Sequence, residues 1–147
     1  MFFFFWERSV FVLSLQKFKR QTLQNLTPDG IIGYSQGACV AAALVARSIR
    51  GNFPSIKFAI LFAGDASIVD LEPVDPKCVP TLHVFGTKDK TTKGDDSAAL
   101  ATRFIDSDQF CHGLGHECFP RTGGALRKIA SLIKRTLNSH RSMFGTP

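Results

Sequence analysis

No stretch of this sequence approaches the roughly 20 consecutive apolar residues that a membrane-spanning helix requires, so stable membrane insertion is not expected. Basic residues are missing ahead of the opening Met1–Trp6 run, and Glu7-Arg8 interrupts it, which argues against a secretory signal and for a cytoplasmic or nuclear setting. Cysteine is scarce. Cys39, Cys78, Cys111 and Cys118 are irregularly spaced, too few to staple a chain of 147 residues, so free thiols are expected. Cys111, His112, His116 and Cys118 lie close in sequence, yet they form neither a C-x-x-C knuckle nor a helical histidine pair, and no metal site is expected. Dense blocks of one charge are also lacking. Six basic and two acidic residues in 1–50, five and seven in 51–100, and seven and three in 101–147 spread the net +6 along the chain. The basic residues of the last third interleave with apolar ones as on a solvated helix face, so nucleic acid is not an expected partner. Repeats, low-complexity tracts and linkers are absent, so residues 1–147 read as one domain.

What is present is a hydrophobic share of 44% against 20% charged, enough for a packed core. Residues 9–25 place Phe11, Leu15, Phe18 and Thr22 on one helical stripe. Ile31–Tyr34 reads as a short buried strand after the Asp29-Gly30 turn. Gly37–Ala46 is apolar on every face and predicts a helix buried on most sides, ending by Gly51. Ile56–Phe62 is a continuous apolar run, the pattern of a parallel strand covered on both faces, and Thr81–Phe85 reads as a further strand ended by Gly86. Residues 65–80 carry three prolines and read as a loop. A helix is expected from about Ser97 to Ile105, a short strand at Gln109–His112, and an amphipathic helix from Gly124. Alternating strands and helices imply crossovers of one hand and an α/β fold with a mainly parallel sheet flanked by helices.

Gly33-Tyr34-Ser35-Gln36-Gly37 is a G-x-S-x-G pentapeptide between that first strand and the Ala-rich helix. In this context Ser35 is expected on a tight strand-to-helix turn that projects its Oγ above the sheet. Gly33 and Gly37 would clear room for strand and helix to fold back on one another. The backbone N–H of Gln36 would donate to an oxyanion, aided by the positive end of the helix. A serine hydroxyl needs a base, and the base needs a residue to orient it. In such folds they follow in the order Ser, Asp or Glu, His, on loops after strands. Asp89, three residues past the Thr81–Phe85 strand, is the expected acid, with Asp65 its rival and Asp95 and Asp96 read as helix caps. His116, in Gly113-Leu-Gly-His-Glu117, is the expected base, with His112 the nearer rival. His83 alternates within a strand as a core histidine would, and His140 lies in the polar tail.

The blocks Asp29–Ala38, Pro80–Asp89 and His112–His116 together resemble the FSH family of small eukaryotic serine hydrolases, over about residues 28–139. The resemblance implies an α/β-hydrolase fold and esterase or thioesterase activity on small acyl substrates, with no cofactor. It gives nucleophile, acid and base to Ser35, Asp89 and His116. Leu114 stands where the family usually has glycine, and Pro120 comes one residue late. The family also opens with a strand and a His-Gly loop that supplies a second oxyanion donor, and nothing before Ser35 matches it. The expectation is therefore a hydrolase fold lacking its usual first strands, weak for want of that donor. The alternative is a catalytically impaired chain that acts by binding other proteins.

Overall fold

The computed structural model describes residues 29–50, 56–69, 79–117 and 123–143, with side chains as far as 135 in the last stretch. The helix expected over 9–25, the opening Phe run, Cys78, Cys118 and Pro120 lie outside the described residues. Within them, β1 (Gly30–Tyr34), α1 (Gln36–Ile49), β2 (Phe58–Phe62), β3 (Thr81–Gly86), α2 (Gly94–Ala101), β4 (Ser107–His112) and α3 (Gly123–Met143) follow in that order. The four strands form one parallel sheet in the order β1-β2-β3-β4. The α/β architecture expected from the alternation of strands and helices is the one observed.

The period-2 alternation of β2 sorts its side chains between two layers. Ala59 and Leu61 face α1 and α2, in a core with Leu44, Val45, Leu100 and Phe104. Ile60 and Phe62 face the other way, with Leu82, Val84 and Leu132 beneath α3. Both faces are therefore dry, which is why β2 reads as an unbroken apolar run. The five alanines of α1 serve this packing, because small side chains let the helix lie close on the sheet, and Ala38, Cys39 and Ala41–Ala46 are all buried.

Two elements depart from the expected bounds. Helix α2 starts three residues before Ser97 and stops at Ala101. Lys93 is extended, while Asp95 and Asp96 occupy the first turn, where the helix dipole favours negative charge. Phe104 still reaches the core, through the turn that follows Ala101. Strand β4 begins two residues earlier than Gln109. It ends the described sheet, and its exposed Asp108 and Gln109 hide the strand pattern. Cations of α3 guard this border. Lys128 Nζ donates to the Gln109 carbonyl (2.9 Å), and Arg135 pairs with Asp106 (3.3 Å) and Asp108 (3.7 Å).

His83 lies within β3, buried against Phe104 with its Nε2 3.2 Å from Thr81 Oγ1. Burial pushes its pKa down to about 3. The unfolded chain would protonate this ring below about pH 6.5 while the fold resists doing so, and stability must fall as pH drops from there toward 3. Thermal melts are expected to show a lower Tm at pH 5 than at pH 7.5, with a smaller difference in His83→Leu; equal slopes would contradict a neutral buried ring.

Candidate active site

The carboxyl ends of the four strands carry the chemistry-bearing residues. Ser35 follows β1 directly and caps α1 with φ 54° and ψ −124°, a conformation that costs a non-glycine residue about 1–3 kcal/mol. Hydrogen bonds hold it there from both sides. Its N–H donates to the Phe62 carbonyl (2.8 Å) and its carbonyl accepts the Ala38 N–H (2.9 Å). The residue after β2 is strained likewise, for Ala63 has φ 48° and donates its N–H to Val84 (2.8 Å). Cys39 fills the space between these two turns. Its Sγ is 3.6 Å from the Ser35 carbonyl and accepts the Asp65 N–H (3.4 Å), and burial raises its pKa to about 11. It is a buried thiol, not a nucleophile.

The two elbow glycines differ. A Cβ at Gly33 would stand 2.3 Å from the Gly37 carbonyl oxygen and 2.6 Å from Ala38 Cα, so β1 and α1 approach there as only glycine allows. A Cβ at Gly37 would meet nothing within 4 Å. The expectation that Gly37 clears room for the crossing is thus corrected: the contact lies on its backbone, opposite Gly33. Gln36 opens α1, where an N–H has no carbonyl one turn earlier in the helix to donate to.

Asp89 and His116 meet. His116 Nδ1 lies 2.6 Å from Asp89 Oδ2. The other oxygen, Oδ1, accepts the N–H groups of Thr91 (2.8 Å) and Thr92 (2.9 Å). Burial is the strongest single influence on the Asp89 carboxyl and opposes its ionisation. The Thr92 N–H, the His116 ring and the Thr91 N–H together prevail and hold its pKa below the ordinary value. A fixed carboxylate behind Nδ1 favours the tautomer that leaves Nε2 free to accept a proton.

The loop bearing His116 is fastened to the end of β3. Lys88 N–H donates to the Leu114 carbonyl (3.1 Å) and Thr87 N–H to that of His112 (2.9 Å). Gly86 makes this possible, because a Cβ there would lie 2.2 Å from the Leu114 oxygen and 2.5 Å from that of Gly115. Sequence reasoning missed Gly86, although a glycine between a buried strand and an acid loop was a usable sign. It also missed Tyr34, whose hydroxyl donates to the His116 carbonyl (3.0 Å).

The rival residues occupy other places. Asp65 Oδ1 accepts from Ser67 N–H (2.8 Å) and Ser67 Oγ (2.7 Å) in an exposed turn after β2. Asp95 and Asp96 sit in α2. His112 is buried at the end of β4, where its Nδ1 accepts the Leu114 N–H (3.3 Å), and burial lowers its pKa. His140 belongs to α3, beyond the described side chains. Among the described residues no three His, Cys, Asp or Glu side chains gather as metal ligands, and no helix is long and apolar enough to cross a membrane.

Solved structures resemble this architecture. That of Arabidopsis thaliana SOBER1 matches with a TM-score of 0.61 at 22% identity, over 89% of this chain and 66% of its own. Zea mays acyl-protein thioesterase 2 matches with a TM-score of 0.58 at 12% identity, over 88% and 64%. At such identities the likeness concerns the fold, which is that of the α/β-hydrolases. In sequence, the mouse (Mus musculus) protein named esterase OVCA2 is 38% identical over 101 residues, 65% of this chain and 45% of the mouse protein. The chain thus spans about half the length of such relatives. A family model described as serine hydrolase (FSH1) matches residues 7–129, a stretch that includes the elbow, the acid loop and the histidine loop. With most of its length matched in this way, the chain belongs to the FSH1 serine hydrolase family.

Proposed function

We propose that the chain hydrolyses carboxylic esters or thioesters of small acyl substrates through Ser35, Asp89 and His116. In this reading Ser35 Oγ attacks the substrate carbonyl carbon while His116 Nε2 takes the hydroxyl proton. The Gln36 N–H donates to the oxyanion that forms. Collapse of the tetrahedral intermediate breaks the bond to the alcohol or thiol, which leaves with the proton from His116. Water then repeats the sequence on the acyl-serine, releasing the acid and restoring Ser35. No metal or organic cofactor takes part in these steps.

The observation that carries the reading is the 2.6 Å bond from His116 to a buried, doubly braced carboxylate. It sits on the same edge of the sheet as the strained turn at Ser35. The esterase name of the mouse relative and the thioesterase name of the maize structure support the substrate class. We further propose that turnover is modest, because Gln36 N–H is the one oxyanion donor identified among the described residues. Loss of one oxyanion donor lowers turnover by about 10²–10³.

A fluorophosphonate probe tests this directly, since it phosphonylates only a serine whose proton has somewhere to go. The expected result is one equivalent of label, mapped by mass spectrometry to the peptide containing Ser35. Absence of label, or label on another serine, would overturn the assignment.

A further inference from the structure

We propose that Tyr34 is a positioning residue that ties the histidine base to the nucleophile's own strand. The inference rests on the roles of Ser35 and His116 proposed above and concerns how the two are kept in register. Ser35 and His116 are 81 positions apart and ride on different strands, yet proton transfer between them tolerates little misplacement. The bond from Asp89 fixes the ring of His116, but Asp89 belongs to the end of β3 and carries no information about where β1 ends.

Tyr34 supplies that information. It is the last residue of β1 and the covalent neighbour of Ser35. Its hydroxyl reaches across the sheet edge and donates to the His116 carbonyl at 3.0 Å, a contact between residues 82 apart in sequence. Its ring also packs on the imidazole, with centroids 4.9 Å apart and planes inclined by 43°. The hydrogen bond fixes the backbone that carries the base, and the ring contact limits the swing of the imidazole about its Cα–Cβ bond. Together with the bond to Asp89, these give His116 a backbone anchor, a face anchor and an edge anchor. Two of the three come from the residue beside the nucleophile. The x of the G-x-S-x-G pentapeptide is therefore not a free position in this chain. Phenylalanine there would keep the face anchor and lose the backbone anchor, whereas leucine would lose both.

The test uses Tyr34→Phe and Tyr34→Leu in the full chain, with two readouts. Hydrolysis of a p-nitrophenyl ester gives kcat and KM. The non-exchanging ring protons of His116, followed by NMR, report the neighbouring aromatic ring in the resting protein. Tyr34→Phe is expected to lower kcat roughly fivefold, the value of one net hydrogen bond, with KM unchanged and Tm lower by only about 2–4 °C. The ring-current displacement of the His116 signals should persist in Tyr34→Phe, which keeps the ring, and vanish in Tyr34→Leu. Unchanged kcat in Tyr34→Phe, or unchanged His116 signals in Tyr34→Leu, would overturn the proposal. So would a parallel fall of kcat and KM with a larger drop in Tm, which would mark a general packing role. If the unsubstituted chain takes up no fluorophosphonate while Tyr34→Leu still shifts the His116 signals, the hydrolase reading fails and the hold of Tyr34 on His116 stands.

Discussion

Asp89→Asn is expected to reduce ester turnover by about 10⁴ while leaving the fold intact. The side chain of Asp89 is wholly buried and divides its work between two oxygens. An asparagine can present its carbonyl to the Thr91 and Thr92 N–H groups, so the loop after β3 keeps both of its braces. The amide nitrogen must then face His116 Nδ1 and donate to it, where the carboxylate accepted. That reverses the imidazole tautomer and puts a hydrogen on Nε2, the atom proposed to receive the serine proton. Initial rates with a p-nitrophenyl ester, taken beside circular dichroism of the same sample, separate chemistry from folding. A rate within tenfold of the parent would remove Asp89 from its role. The matching change Asp65→Asn should leave the rate nearly untouched, because that carboxylate is occupied by Ser67 in an exposed turn. Since Asp89 is held below the ordinary carboxylate range, it stays ionised throughout the pH interval of an ester assay. Any acid limb of the rate profile must come from another group.

Gly33→Ala is the substitution with the largest expected effect on stability. The added methyl would stand 2.3 Å from the Gly37 carbonyl oxygen, 2.6 Å from Ala38 Cα and 2.7 Å from Ala38 N. All three are backbone atoms of the first turn of α1, so no side chain can swing aside to make room. The helix has to lift from β1, and α1 carries much of the core on that face, including Leu44 and Val45. A loss of about 3 kcal/mol is expected, the upper end of the usual cost of overpacking. The Ser35 turn would be displaced with the helix, and phosphonylation should be lost as well. Chemical denaturation measures the first effect and probe labelling the second. Gly37→Ala is the natural control, because its Cβ would point into open space. If Gly33→Ala melts like the parent, the close crossing of strand and helix is not as described.

The parts of this structure legible in the sequence are those governed by neighbours along the chain. The elbow declared itself because strand, glycine, serine and Ala-rich helix are contiguous. β2 did so because burial on both faces left no polar residue in it, whereas β3 reads as a strand with buried Thr81 and His83 inside it. The margin of the sheet was harder to read, since Ser107-Asp108-Gln109 pairs through backbone groups and shows little apolar alternation. The start of α2 was misplaced because dipole-favoured Asp95 and Asp96 are also good residues for a loop. At the site, residue types and strand order marked Ser35, Asp89 and His116. Gly86 and Tyr34 stayed hidden, since their importance comes from carbonyl groups 28 to 82 positions away. Open space beside Gly37 was equally invisible, because the pentapeptide cannot tell which of its glycines faces backbone.

The position of β4 at the margin of the described sheet gives the site a different durability from the core. Local opening of a protein is easiest where backbone hydrogen bonds are exposed and apolar contacts few. β4 meets both conditions, with Asp108, Gln109 and Cys111 facing solvent. The loop bearing His116 hangs from the end of this strand, whereas Ser35 hangs from β1, which is pressed against buried α1. Fraying of the β3–β4 ladder would unhook the imidazole from Asp89 while β2, β3 and α1 stay packed. With Ser35 and His116 acting as proposed, folded molecules and competent molecules are then two separate populations, the second the smaller.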